Sequence, residues 1–151
     1  MQLKITKAQG ELKNVNLRTE NNGDERVLAI DLKIKANCPM KELAALTQDT
    51  PDLLATLFDE GGNVLNPVTM FTHRVAIDNC EVKIDNLKAI KGAKLKKGLT
   101  YLPRNGKRFE ISFTLQFADV IDVRAMANRL HEEIKVTIIE RQQSLDLKSV
   151  A

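Results

Sequence analysis

A run of basic residues in the second half of the chain is the feature of this sequence best suited to chemistry. Between Asn86 and Phe109 there are eight lysines and arginines and no acidic residue, which leaves 15 basic against 20 acidic residues elsewhere. Proteins that bind single-stranded nucleic acid combine cationic strands, which follow the phosphates, with aromatic rings that stack on bases. The predicted nucleic-acid-binding residues are Lys94, Lys96, Lys97, Tyr101, Arg104, Lys107 and Arg108.

Two other interpretations of this basic run stay open. Lysine is common on exposed strands because it discourages pairing with other chains, so the run can be a solvated surface without a ligand. An acidic protein surface would also complement the run. Single-strand binders usually present several aromatic platforms, whereas Tyr101 is the one candidate here for an exposed ring.

No arrangement of residues predicts catalysis. The sequence has no G-x-S-x-G, Walker or dinucleotide-binding motif, and neither Cys38 nor Cys80 has a histidine nearby in sequence. His73 and His131 lie far from any metal-ligand spacing. Four carboxylates that could serve as caps or surface charges lie on separate predicted elements: Asp85, Glu110, Asp119 and Asp122. We therefore expect a protein that binds rather than catalyses, without a cofactor or a metal.

The cysteines and the N-terminal segment bear on the compartment. Cys38 and Cys80 predict two small buried thiols in a reducing environment, and a disulfide between distant strands stays open. The first seven residues are polar at every second position and lack the apolar core of a signal peptide. No apolar run approaches the roughly 18 residues of a membrane span. We therefore expect a cytoplasmic protein that does not enter a membrane.

The basic run must be supported by other secondary-structure elements. The first of these is a hairpin predicted in the first third of the chain. Val15 and Leu17 alternate with polar residues, as do the apolar residues from Leu28 to Ile34, so each strand is expected to bury one face. Asn21-Asn22-Gly23-Asp24 lies between them and supplies residues that tolerate positive φ, as a tight turn requires.

A second hairpin is predicted around Arg104-Asn105-Gly106-Lys107, because Asn-Gly favours a two-residue turn. Apolar residues alternate without a break from Phe109 to Phe117, which marks the strand after the turn. Counting back across the turn pairs Leu102 with Phe109.

The same count places Lys96 on the apolar face, which is unfavourable for a lysine. A one-residue bulge near Lys97-Gly98 would correct the register and return Leu95 and Ala93 to the inner face. The solvent-exposed face would then carry Lys94, Lys96, Tyr101 and Arg108.

Three helical patterns are predicted. A short helix begins at Pro39, a second extends from Thr50 to Gly61, and a third is capped by Asp119 or Asp122. The third presents on one stripe Val123, Met126, Ala127 and Leu130.

Hairpins outnumber helices, so the predicted fold class is α+β. We expect an antiparallel sheet built from hairpins, with two or three short helices packed on one side or end. No linker divides the chain, which predicts a single domain over residues 1–142 and a frayed C-terminal tail over residues 143–151.

Three segments of the first hairpin carry a family resemblance: Asn14-Val15-Asn16-Leu17-Arg18-Thr19-Glu20, Gly23-Asp24-Glu25 and Val27-Leu28-Ala29-Ile30-Asp31-Leu32-Lys33. They resemble a family of small uncharacterised proteins of tailed bacteriophages and prophages. The resembling segments contain no catalytic residue. The resemblance implies a viral origin, action in the host bacterial cytoplasm, and a role in replication, recombination or countermeasures against host defences.

The leading hypothesis is a non-enzymatic, phage-type accessory protein that binds nucleic acid through the second hairpin. Single-stranded DNA is the expected ligand, bound without sequence preference. The alternative is a phage protein that binds and inhibits a host protein, as an anti-defence inhibitor does. A third possibility is a small-ligand binder or an enzyme, whose pocket the sequence does not reveal.

Overall fold

The structure, a computed structural model, describes residues 3–43, 56–65, 71–73, 77–117 and 123–141. Within these ranges the chain forms a short 3₁₀ helix at Met40–Leu43 and an α-helix, α1, at Val123–Ala127. The strands are β1 (Lys4–Asn22), β2 (Glu25–Pro39), β3 (Phe71–His73), β4 (Ile77–Ile84), β5 (Ile90–Arg104), β6 (Arg108–Phe117) and β7 (Glu133–Glu140).

Six of these strands close into a barrel. They follow the order β5-β4-β7-β1-β2-β6, all neighbours are antiparallel, and β6 pairs back with β5 to complete the ring. The short β3 continues the line of β4 along the same edge of β5, where Phe71 pairs with Tyr101.

The predicted α+β class is therefore wrong. Strands make up 70% of the described structure and helices only 8%. The alternation correctly predicted strands with one apolar face. The prediction that helices cover this face was wrong. In a closed barrel the inner face of each strand packs against the opposite wall, so helices are not needed to cover it.

The core lies inside this ring. Every second residue of β6 is buried, and β2 and β7 alternate in the same way. The largest side chains that are wholly buried come from β1, β2, β4, β5 and β6, with one from the 3₁₀ helix and one, Leu3, from just before β1: Leu3, Ile5, Leu12, Ile30, Leu32, Ile34, Leu43, Ile84, Ile90, Leu95 and Phe109.

The first predicted helix is shorter than expected, and the second lies only partly within the described residues. The pattern after Pro39 gives a single 3₁₀ turn that ends at the buried Leu43. The end of the Thr50 pattern is no helix, because Phe58 forms a β-bridge with Val64 and a turn lies between them. Residues 50–55 are not described.

The third predicted helix is present as α1, a little over one turn long. It places Met126 against the barrel interior, while Leu130 lies beyond its end and bridges to Leu12. The proposed caps Asp119 and Asp122 lie outside the described residues.

The first hairpin is confirmed. Asn22 pairs with Glu25 across a turn in which Gly23 has a φ of 66°. Pairing of β1 with β7 stops at Glu11, and pairing of β2 with β6 begins at Ile30. Residues 14–22 therefore have β2 as their one described neighbour, and residues 18–29 extend beyond the described pairings of the barrel as two strands. We call residues 14–29 the ribbon below.

The second hairpin is present, but its turn contains three residues rather than two. Arg104 pairs with Arg108, so the register near the turn differs by one residue from the prediction. The register then shifts between Lys96 and Leu99, where β5 gains two residues instead of the predicted one. The two errors cancel beyond the bulge, and Leu95 faces inwards as predicted.

The strands β1 and β2 approach closely at Gly10. A Cβ added there would lie 2.4 Å from the backbone oxygen of Lys35 and 2.8 Å from Cβ of Ala36. A residue without a side chain is required because two backbones meet at this point.

Both cysteines are buried and free. Cys38 lies on β2 and Cys80 on β4, and burial raises the pKa of each thiol to about 12. The interpretation of two buried thiols is confirmed. In the described residues, no helix is both long and apolar enough to cross a membrane.

We expect these thiols to be protected from modification. At pH 8 a disulfide reagent such as Ellman's should react with neither thiol of the folded protein and with both after denaturation, because the thiolate is the reactive form. A Leu65→Cys variant provides the control, since Leu65 is 64% exposed and its replacement should react at once. Fast labelling of a native cysteine in the folded chain would contradict the burial of Cys38 and Cys80.

Candidate nucleic-acid interface

The outer faces of β5, β6 and β2 bring two lysines from distant parts of the sequence together. Thr114 on β6 pairs with Lys96 on one side and with Lys33 on the other. Both lysines are exposed. Because strands lie about 4.8 Å apart, their Cα atoms are separated by roughly 10 Å across the sheet. We call this surface, with Lys94, the lysine face.

A shallow depression of about 470 Å³ lies between these lysines. Its polar lining residues are the two lysines and three residues with hydroxyl side chains, Thr100, Ser112 and Thr114. It lies beside the two-residue bulge of β5, where the strand departs from β6. A β-bulge commonly changes the direction in which the neighbouring side chains point.

The charge of the two lysines is not neutralised within the described part of the chain. No ion pair joins Lys33 or Lys96 to a described carboxylate, whereas Lys94 lies 3.6 Å from Asp78. That pair is exposed on both sides, so it contributes little energy and can exchange for another anion. The nearest acidic neighbour on β2, Asp31, is paired with Arg18 at 2.9 Å.

The remaining basic residues of the predicted site do not join the lysine face. Arg104 donates to Glu110 at 2.8 Å, and Arg108 donates to the side chain and the backbone oxygen of Asn37. Both arginines therefore hold the turn end of the hairpin. Lys107 lies in the turn itself with a φ of 53°, and the side chain of Lys97 at the bulge is outside the described structure.

The expectation that Tyr101 lies on the solvent-exposed face is wrong. The longer turn shifts its register, so Tyr101 pairs with Ile111 and faces inwards, 7% exposed. Its ring stacks on Phe71 with centroids 5.3 Å apart and meets the edge of Phe109 at 5.2 Å. Burial also raises the pKa of its hydroxyl.

Base stacking therefore has no platform on this protein. The chain has five phenylalanines, one tyrosine and no tryptophan, all six rings lie in the described residues, and none is exposed. The lysine face offers ammonium groups and hydroxyls, which suit phosphate oxygens but do not distinguish bases.

A second depression, of about 540 Å³, lies on the outer faces of β1, β2 and β7. Most of its charged side chains are paired: Glu11 with Lys13 at 3.0 Å, and Lys35 with Glu110 at 3.1 Å, while His131 lies 3.6 Å from Glu11. The hydrogen bond from Lys13 lowers the pKa of Glu11. This depression is larger, but its one charge without a described ion-pair partner is the carboxylate of Glu133, which would repel a phosphate.

The predicted absence of a catalytic or metal site is not contradicted by the described geometry. Asp85 is held by Arg129 at 3.0 Å and by the backbone N–H of Lys135 at 2.9 Å. In the residues that the structure describes, His, Cys, Asp and Glu form no group of three that could hold a metal ion.

Comparisons of the chain with protein-family models, curated proteins and solved structures found no match.

Replacing Tyr101 tests whether its ring stabilises the core or stacks on a nucleic-acid base. We expect Tyr101→Ala to lower the free energy of unfolding by about 3 kcal/mol, since it removes a buried ring between two phenylalanines. The control is Tyr101→Phe, which keeps the ring and should cost less than about 1.5 kcal/mol. The free energies of unfolding of both variants are measured by denaturant titration. A stable Tyr101→Ala protein with impaired DNA binding would support the stacking role instead.

Proposed function

We propose that this protein binds nucleic acid through the sugar-phosphate backbone, using the lysine face and not the tip of the second hairpin. The observation that supports this most directly is the pair Lys33 and Lys96, exposed on either side of Thr114 and free of described acidic partners. Lys94 extends the positive surface along β5. Lys33 replaces Arg104 and Arg108, which are engaged in holding the hairpin.

Recognition in this proposal is electrostatic. Each ammonium group lies near a phosphate oxygen, and a hydroxyl of Ser112 or Thr114 donates a second hydrogen bond to it. Binding releases the counterions condensed on the nucleic acid and so weakens as salt concentration rises. Because the rings are buried, affinity does not depend on base identity.

Single-stranded DNA is the form we propose. The wall of a small barrel is curved, and a flexible single strand can bend along it, whereas a duplex is stiff over about 150 base pairs. The proposed protein acts without catalysis, as a phage-type accessory factor in the host cytoplasm.

The rival partner for the same lysines is the acidic surface of a host protein. Recognition by charge without stacking rings would serve such a surface equally well. The experiment on the lysine face must therefore distinguish phosphates from carboxylates.

We expect a fluorescently labelled single-stranded oligonucleotide to bind at about 50 mM salt and to be released towards about 200 mM. Three lysine contacts predict a log–log salt slope of roughly −2 in fluorescence anisotropy titrations. The double variant Lys33→Glu/Lys96→Glu should lose at least about tenfold in affinity, with a smaller slope, because it removes two of the three contacts.

The matched control is Lys83→Glu/Lys135→Glu. It makes the same change in net charge on exposed residues of β4 and β7, away from the lysine face. Equal loss in both double variants would show that overall charge, and not the lysine face, controls binding. An absence of binding at low salt would refute the nucleic-acid proposal. If the wild type then retains a protein from nuclease-treated bacterial lysate and Lys33→Glu/Lys96→Glu does not, the host-protein alternative is supported.

A further inference from the structure

The ribbon has a strand edge that no other described strand covers, in an otherwise closed sheet. Within the described residues, β1 has neighbours on both sides only as far as Leu12, where it pairs with β2 and bridges to Leu130. From Asn14 to Asn22 it pairs with β2 alone. Its outward-pointing backbone N–H and C=O groups can therefore accept another strand.

The ribbon also carries an exposed apolar surface. Leu17 pairs with Ile30 and Thr19 with Leu28, so the two leucines are diagonal neighbours on one face. This face continues the inner face of the barrel, where Ile30 is buried, yet Leu17 is 48% and Leu28 is 49% exposed. The hydrophobic lining of the barrel thus runs onto the ribbon without cover from the described chain.

We infer that a second copy of this chain pairs with the ribbon, with the two β1 edges antiparallel about a two-fold axis at Leu17. An axis perpendicular to the sheet keeps each face on its own side, so the two Leu17 side chains meet on the apolar face. Val15 lies opposite Thr19 of the second copy on the same face.

The sequence of this edge favours a copy of itself. The two-fold register places Asn16 opposite Arg18 of the second copy, so an amide faces the guanidinium and no like charges oppose each other. Arg18 is already paired with Asp31, which lowers its repulsion towards its own copy. Residues 14–19 include neither lysine nor proline, the residues that commonly block pairing at exposed edges.

The pairing satisfies backbone groups on both copies at once and covers both Leu17 side chains. The contact is confined to two short strands, so it belongs with small, weak interfaces. The dimer therefore forms reversibly as protein concentration rises. It uses the apolar face of the ribbon, whereas the lysine face lies on the opposite, outer surface of β2, β5 and β6.

Cysteine cross-linking tests the register directly. In an antiparallel pair the Cα atoms of directly opposed residues lie about 4.5–5.5 Å apart, within the range of a disulfide. Leu17→Cys should therefore form a disulfide-linked dimer when oxidised glutathione is added. The native cysteines do not compete because both are buried.

Leu28→Cys is the matched control. Leu28 is exposed to the same degree as Leu17, but its copy lies three strand spacings away, roughly 14 Å, which is beyond disulfide reach. The inference predicts cross-linking of Leu17→Cys alone on a non-reducing gel. Failure of Leu17→Cys to cross-link, or equal cross-linking of both variants, would overturn it.

Analytical ultracentrifugation of the nuclease-treated wild-type protein supplies an independent measurement. The mass should rise from 16.9 kDa towards twice that value as concentration increases. Leu17→Lys should remain monomeric and folded by circular dichroism, whereas Leu65→Lys, which changes another exposed leucine, should dimerise like the wild type. A wild type that stays monomeric up to millimolar concentration would refute the dimer without affecting the nucleic-acid proposal.

Discussion

The pairing of β5 with both β4 and β6 is the constraint on which the rest of this structure depends. It converts a row of antiparallel hairpins into a ring, so every inner face is covered by the wall opposite. A strand that serves two partners must satisfy two registers. β5 does so by shifting between Lys96 and Leu99 on its β6 side and near Cys80 on its β4 side. Both irregularities allow β5 to pair on its two sides and so close the ring. The one on the β6 side lies beside the depression at Lys96.

Local patterns were sufficient to predict the strands but not their closure. The alternation in β6 and the positions of both hairpin turns correspond to what the structure shows, although the second turn is one residue longer than predicted. These signals are contained in a few neighbouring residues. Closure depends on contacts between strands that are distant in sequence. The helix predicted from Thr50 to Gly61 is replaced, in its described part, by a bridge between Phe58 and Val64. The same limit explains why an α+β fold was expected.

A one-residue difference in register decides which side chains reach the surface of the candidate site. Alternation together with the proposed bulge near Lys97-Gly98 predicted that Lys94 and Lys96 face outwards, and they do. An extra residue in the turn moved Tyr101 to the core, because side chains change face with every residue. Lys33 was missed because only the pairing of β2 with β6 places it beside Thr114. The alternation in β2 already indicated that Lys33 faces outwards. The sequence did not show which strand would lie beside it.

The two hairpin turns differ in how they are attached to the molecule. A Cβ at Gly23 would meet no atom within 4 Å, so the tip of the ribbon is surrounded by solvent. The turn at residues 105–107 is instead bonded to two other segments, through Gly62 and Met40. An inserted peptide or fused domain can therefore be accommodated at Gly23 without disturbing the barrel, whereas lengthening the second turn would pull on both of its anchors. The first hairpin is thus the natural place at which this fold can gain new segments over evolution.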